Sequence, residues 1–309
     1  MNRRPSSSPR APANGRHPLA AATALMTSAA LLFGVMALLA KGASARLPGP
    51  EVAFIRFSVG LFACAVAATR IRLRARNWRG LFWRGAFGGA AVLCYFLTIE
   101  HLTVGMATLL NYTAPVFTAL WAWLFLGEHI GRGTVGALAI TTSGVALVMV
   151  GNAPPGAVAL GTWQLVGVLS SVLSGAAVAT IREVRKTDGA WEIFAAFCVA
   201  GALFTGVPAA RHWVTPTTRE WMMMLGVGVT SVAAQLMMTQ ALRDLPAAAA
   251  GVLFQLTPVT TLVLGHVLYG EKPAGLAIVG ATVTLVGVSW GAWLAAAPAR
   301  VQPVAPEEP

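Results

Sequence analysis

Ten long apolar runs follow one another through this 309-residue chain, at 19–40, 50–69, 79–99, 104–126, 131–150, 161–182, 191–210, 220–241, 247–269 and 273–295. A helix needs about 20 apolar residues to cross the hydrocarbon of a bilayer. In lipid the backbone must satisfy its own hydrogen bonds, which leaves helices or closed barrels. The runs lack strand alternation and are too long for barrel strands. The expected class is therefore an all-α polytopic membrane protein with ten transmembrane helices. Composition agrees, since 56% of residues are hydrophobic and only 11% are charged, against roughly 25% charged in an ordinary soluble domain. Breakers such as Pro48-Gly49-Pro50, Pro154-Pro155-Gly156 and Asp188-Gly189 sit in the gaps.

The net charge of +11 is distributed as a topology signal. With the N-terminus placed in the cytoplasm, sixteen Lys and Arg fall on the cytoplasmic side, counting Arg84 with the cluster that begins at Arg70, and five on the other. This predicts an inner-membrane, multi-pass protein with both termini cytoplasmic. The basic residues lie between apolar runs and not on a soluble face with interleaved aromatics, so no nucleic-acid partner is expected. Residues 1–18 and 296–309 read as disordered cytoplasmic tails. Ala43-Ser44-Ala45 resembles a cleavage site, but the run before it is too long for a signal core, and it is read as an uncleaved first helix. Cys64, Cys94 and Cys198 lie inside apolar runs without paired spacing and read as packing residues.

Two stretches repeat. MATLLNYTAPVFTALWAWLFLGEHI from Met106 aligns with AAGVLFQLTPVTTLVLGHVLYGEKP from Ala249. Pro115 pairs with Pro258 at 258 − 115 = 143, and the same offset pairs Gly127-Glu128 with Gly270-Glu271 and Gly144 with Gly287. The predicted organisation is a first repeat over 19–150 and a second over 161–295. A unit of five helices is odd, so the second copy enters from the opposite side. That is the 5+5 inverted-topology repeat of many secondary transporters.

The run ATLLNYTAPVFTALWAWLFLGE, its partner ending LYGE, Lys41 closing the first helix and Arg56 in the second resemble the EamA branch of the drug/metabolite transporter superfamily. The resemblance covers both halves, about 19–295. It implies a ten-helix fold with a central cavity between the halves, and a function in moving a small organic metabolite by alternating access. It does not imply a substrate.

Candidate cavity residues are the polar and aromatic ones at mid-run: Tyr95, Asn111, Tyr112, Gln235 and Gln255, with Trp163 near the start of the sixth run. Hydrogen bonding that only joins helices is the alternative for the amides, and an interfacial anchor the alternative for Trp163. Pro115 and Pro258 predict helix kinks. Lys41, Arg56, Glu128 and Glu271 are structural or gating candidates, with Glu51 or Glu100 as partners for Arg56. Arg56 also has a sharper reading, contact with an anionic substrate. His266 reads as buried in the ninth run, as a core residue or a proton carrier.

Other classes fit less well. Ser174-Gly175 with His266 lacks the glycine two residues before the serine that an intramembrane protease motif carries. No His/Glu cluster has metal-ligand spacing, and no phosphate-binding glycine loop is present, so neither metal nor cofactor is expected. A lipid or lipid-linked solute flippase and a non-transporting sensor remain as alternatives. The expected partners are a small-molecule metabolite and the lipid bilayer, with a homodimer left open.

Overall fold

A computed structural model describes residues 16–102, 104–151 and 161–296. Most of both expected tails lies outside the described residues. The helices are α1 (Arg16–Ala43), α2 (Gly49–Ala68), α3 (Trp78–His101), α4 (Val104–Asn111), α5 (Ala114–Leu126), α6 (Arg132–Gly151), α7 (Thr162–Val184), α8 (Ala190–Arg211), α9 (Thr218–Ala241), α10 (Ala247–Phe254), α11 (Leu256–Tyr269) and α12 (Gly275–Ala296). There is no strand among the described residues. Nine spans are long and apolar enough to cross a membrane, with α10 and α11 counted as one. The remaining apolar run, 104–126, folds as α4 and α5 and is the fourth span. An even number of spans puts Arg16, where α1 starts, and Ala296, where α12 ends, on one side, called here the terminal side.

Several helix ends have a clear local cause. The Asn77 side chain accepts from the Gly80 amide (2.9 Å) and caps α3. The Thr217 hydroxyl and the Glu220 carboxylate exchange bonds with each other's amides and cap α9. Helices α5 and α11 both stop at a glycine in the left-handed region, Gly127 (φ 65°) and Gly270 (φ 66°). These two stops are 143 residues apart, as the repeat predicts.

The halves interlock. The most extensive helix pairs are α6 with α12, α1 with α9 and α3 with α7. In spans, these are five with ten, one with eight and three with six. Exchanging the halves turns the first pair into itself and the second into the third. Most packing is therefore between halves. Close approach is built in twice: a Cβ on Gly34 would meet Thr260 at 2.6 Å, and one on Gly175 would meet Phe117 at 2.7 Å. Large apolar side chains such as Phe62, Phe125, Leu203 and Trp293 point outward, where lipid would cover them.

Candidate functional site

The fourth and ninth spans both break eight residues after they begin, each three residues before its proline. Between α4 and α5 the chain steps through Tyr112 and Thr113; between α10 and α11 it steps through Gln255. Pro115 and Pro258 have no amide hydrogen to give to the preceding turn. The first break has a further consequence. The Val116 amide donates to the Thr113 carbonyl (3.0 Å), one residue short of its α-helical partner Tyr112. The Tyr112 carbonyl is thereby released, and the Gln255 side-chain amide donates to it at 3.3 Å. Because 255 − 112 = 143, these two residues are repeat equivalents, and the bond crosses the pseudo-two-fold axis. Gln255 also donates to the Thr142 hydroxyl (3.3 Å) and is fully buried. It joins helices at the centre and does not line an open space. The Leu110 carbonyl, two residues before Tyr112, accepts from the Ser171 hydroxyl of α7.

Around this centre the other polar candidates separate. Tyr95 and Thr108 share a hydrogen bond (3.2 Å), which ties α3 to α4. Asn111 and Tyr112 are half-buried where α4 ends. Gln235 in α9 is 7% exposed, and its side-chain oxygen has no partner among the described residues. Trp163 stands away from the centre, at the first turn of α7, stacked on His101 with centroids 3.5 Å apart. His266 differs from expectation. It is exposed in the last turn of α11, where its Nδ1–H donates to the Glu271 carbonyl (2.7 Å) and helps close the helix end. It is not a core residue.

Three of the four gating candidates, Lys41, Glu128 and Glu271, fall into two ion pairs at opposite ends, with Arg182 as the fourth member. On the far side Lys41 meets Glu271 (2.6 Å), with side chains 59% and 43% exposed. On the terminal side Arg182 meets Glu128 (3.0 Å), with 23% and 16% exposed. Glu271 and Glu128 are 143 apart. Lys41 and Arg182 are 141 apart, as are Gly34 and Gly175. The two pairs are one contact made twice, inverted.

Their surroundings differ. The second oxygen of Glu128 accepts from the Ala247 amide (3.0 Å) at the start of α10, a favourable place for a carboxylate. Arg182 donates to the carbonyls of Leu242 (3.0 Å) and Arg243. The far pair borders a cavity of about 540 Å³ lined by Lys41, Gly42, Glu220, Met223, Tyr269 and Glu271. Beside it, Arg46 grips Glu220 with two nitrogens (2.9 and 2.5 Å), and that carboxylate raises the Arg46 guanidinium above its ordinary pKa.

Arg56 has no ion pair among the described residues. Its expected partner Glu51 is fully buried and accepts from the Val214 amide (2.9 Å) instead. The Glu100 side chain lies outside the described residues. Arg56 sits over the Phe57 ring, 4.7 Å from its centroid. Arg84 is only 3% exposed, so it does not belong with the exposed cytoplasmic cluster of the sequence count.

Sequence reasoning missed Arg182, Ser171 and Thr142 as members of these contacts. For Arg182 a signal existed in the 141-residue offset that also relates Gly34 to Gly175. No group of three potential metal ligands occurs among the described residues.

Known proteins resemble this arrangement closely enough to place it. A crystal structure sharing 20% sequence identity superposes with a TM-score of 0.77, covering 89% of this chain and 97% of the other. This likeness supports the fold alone. A pseudopaline exporter of Pseudomonas aeruginosa is 30% identical over 266 residues, 85% of this chain and 92% of the relative. A riboflavin transporter of Rhizobium johnstonii is 24% identical over 77% of this chain and 79% of its own length. Residues 21–150 and 161–291 each match the EamA-like transporter family. Two such matches, one on each half of the repeat, show that this chain belongs to the EamA-like transporter family of the drug/metabolite transporter superfamily, whose members move small metabolites across membranes.

Proposed function

We propose that this chain exports a small organic metabolite across the cytoplasmic membrane by alternating access, with Arg182–Glu128 and Lys41–Glu271 as its inner and outer gates. The terminal side is read as cytoplasmic because Arg70, Arg72, Arg74, Arg76 and Arg79 crowd the end of α2 and the start of α3 on that side. Export is read from the pseudopaline exporter, which this chain matches over most of both lengths.

The observation that carries the reading is the inequality of two equivalent ion pairs. An inverted repeat has two packings of its halves, and exchanging them exchanges the environments of the two pairs. In this structure the inner pair is wired to α10 and to the connection before it, while the outer pair stands exposed beside a cavity. The alternate packing would bury Lys41–Glu271 and expose Arg182–Glu128. Tyr95, Asn111, Tyr112 and Gln235 are proposed to line the route between them, and the bond from Gln255 to Tyr112 to hold the centre while the ends move.

The test is to lock one gate. Lys41→Cys with Glu271→Cys, bridged in proteoliposomes by a short bis-methanethiosulfonate that joins both sulfurs through disulfides, should abolish the counterflow that the unbridged variant shows in a metabolite-loaded vesicle screen, and reduction of the disulfides should return it to that level. Undiminished flux with the bridge in place would remove the outer pair from the cycle.

A further inference from the structure

Two cations inside the membrane take no part in the gates. Arg56, eight residues into α2, and Arg84, seven residues into α3, both lie against the Phe197 ring of α8. Their guanidinium carbons are 5.8 and 4.1 Å from its centroid, hence within about 10 Å of each other. No carboxylate pairs with either among the described residues. The Nε of each is buried and has no hydrogen-bond partner. Arg56 instead contacts two rings and the Met36 sulfur, at 4.0 Å. A charge in a low-dielectric interior is costly unless it is paired or meets water or a ligand. Two uncompensated charges in one place multiply the problem, because each also repels the other.

The repeat argues against a purely structural role. In the 141-residue frame of the first two spans of each half, Arg56 corresponds to Phe197, since 197 − 56 = 141. The equivalent of Arg84 falls at Leu225 to Val227. The second half thus makes the same crossings with apolar side chains. Phe57 and Phe197 already stack edge to face at the centre of the crossing between α2 and α8 (5.0 Å). Packing has no need of the two charges.

We infer that Arg56 and Arg84 form an anion site for the carboxylate of the transported solute, an inference that rests on the transporter reading given above. Arg56 is half-buried and is the contacting residue. Its planar fork presents parallel donors that match a carboxylate. Arg84 lies over the Phe197 ring and is nearly fully buried, with one guanidinium nitrogen beside Gly88, 2.3 Å from where a Cβ would stand. From there it adds positive potential without direct contact, and it is a positioning residue. A phosphate would call for more donors than one fork offers, and no hydroxyl or backbone amide is bonded to either guanidinium. The expected ligand is therefore a solute bearing a carboxylate, with phosphate as the competing anion in the test.

The test is thermal unfolding of the purified full-length protein at constant ionic strength with glutamate, citrate, glutamine, inorganic phosphate or chloride as probes. Glutamate or citrate should raise the Tm by a few degrees, as a ligand of the folded state must, while glutamine and chloride do not. Arg56→Phe installs the residue used by the second half. It should leave the ligand-free Tm unchanged or higher, and weaken carboxylate binding by about 10- to 100-fold, the worth of a charge-assisted contact. Arg84→Leu should weaken binding less and keep the preference for carboxylate over amide. Failure of both carboxylates to shift the wild type, a shift by phosphate alone, or an equal shift in Arg56→Phe would overturn the inference. So would a large loss of ligand-free stability in both variants, which would make the arginines structural. Counterflow separates this from the wider reading: flux of neutral solutes without a carboxylate shift removes the anion site and keeps the transporter, whereas a carboxylate shift without any flux does the reverse.

Discussion

The two ends of the molecule are built from one contact used twice, and they differ in what surrounds it. Arg182–Glu128 is mostly buried and shares its atoms with the Ala247 amide and the carbonyls of Leu242 and Arg243. Lys41–Glu271 is exposed beside an open cavity. An exposed ion pair contributes about 0–1 kcal/mol, because water screens it and two long side chains lose freedom. A buried pair with further hydrogen bonds is costly to break, because the partner is left uncompensated. In the proposed cycle the Arg182–Glu128 pair would therefore set which end is closed, and Lys41–Glu271 would have little hold on its end in this state.

The largest expected effect is the loss of the inner carboxylate. Glu128→Ala leaves Arg182 half-paired and the α10 amide uncapped, and should cost about 2–3 kcal/mol of folded stability. It should also raise the access of a membrane-impermeant thiol reagent to a cysteine placed at Ala247, added from the terminal side. Glu128→Gln keeps the cap and loses the charge, and should fall between the variant and wild type. If Glu128→Ala and Glu271→Ala proved equal in stability and access, the comparison between the ends would collapse.

Much of this architecture is legible in the residues, and the limits have physical causes. Apolar runs fix the spans because lipid permits few alternatives. Pro115 and Pro258 fix the breaks because proline cannot complete the helix ladder. The bond between those breaks is less legible. Tyr112 and Gln255 share the repeat frame, but their contact depends on one amide, that of Val116, choosing the nearer carbonyl. Helix faces are the least legible. A span surrounded by lipid and protein can be apolar on every side, so nothing in α11 signals that His266 points outward. Arg182 and Arg84 were hidden for a different reason. A basic residue toward a helix end reads as a topology signal, whether it meets water, a carboxylate or an aromatic ring.

The centre gives an intermediate effect. Gln255→Leu removes the bonds to Tyr112 and Thr142 but also removes a buried oxygen that has no partner. These oppose each other, so the cost should be about 1 kcal/mol. A side chain that only joins helices leaves flux within a few-fold of wild type in this variant. Asn111→Leu, at the half-buried end of α4, should reduce flux more than stability. The reverse ranking of the two variants in proteoliposome flux would move the route from the side of the fourth span to that of the ninth.

The smallest effect belongs to the outer pair. Lys41→Ala should change stability by no more than about 0.5 kcal/mol, and 1 M salt should erase even that, since exposed charges are screened within about 3 Å at that ionic strength. Its effect on transport should be larger than its effect on stability. In the alternate packing Lys41 would occupy the environment that Arg182 has now, with Glu271 beside the start of α4 and buried. Removing Lys41 would then penalise that state alone, slowing exchange between the two packings while leaving this one intact. The expected pattern is a wild-type Tm with reduced counterflow, and thiol access biased toward the far side. A wild-type Tm with wild-type counterflow would show that the outer pair is a surface contact in both packings, and that the repeat preserved its charges without preserving their use.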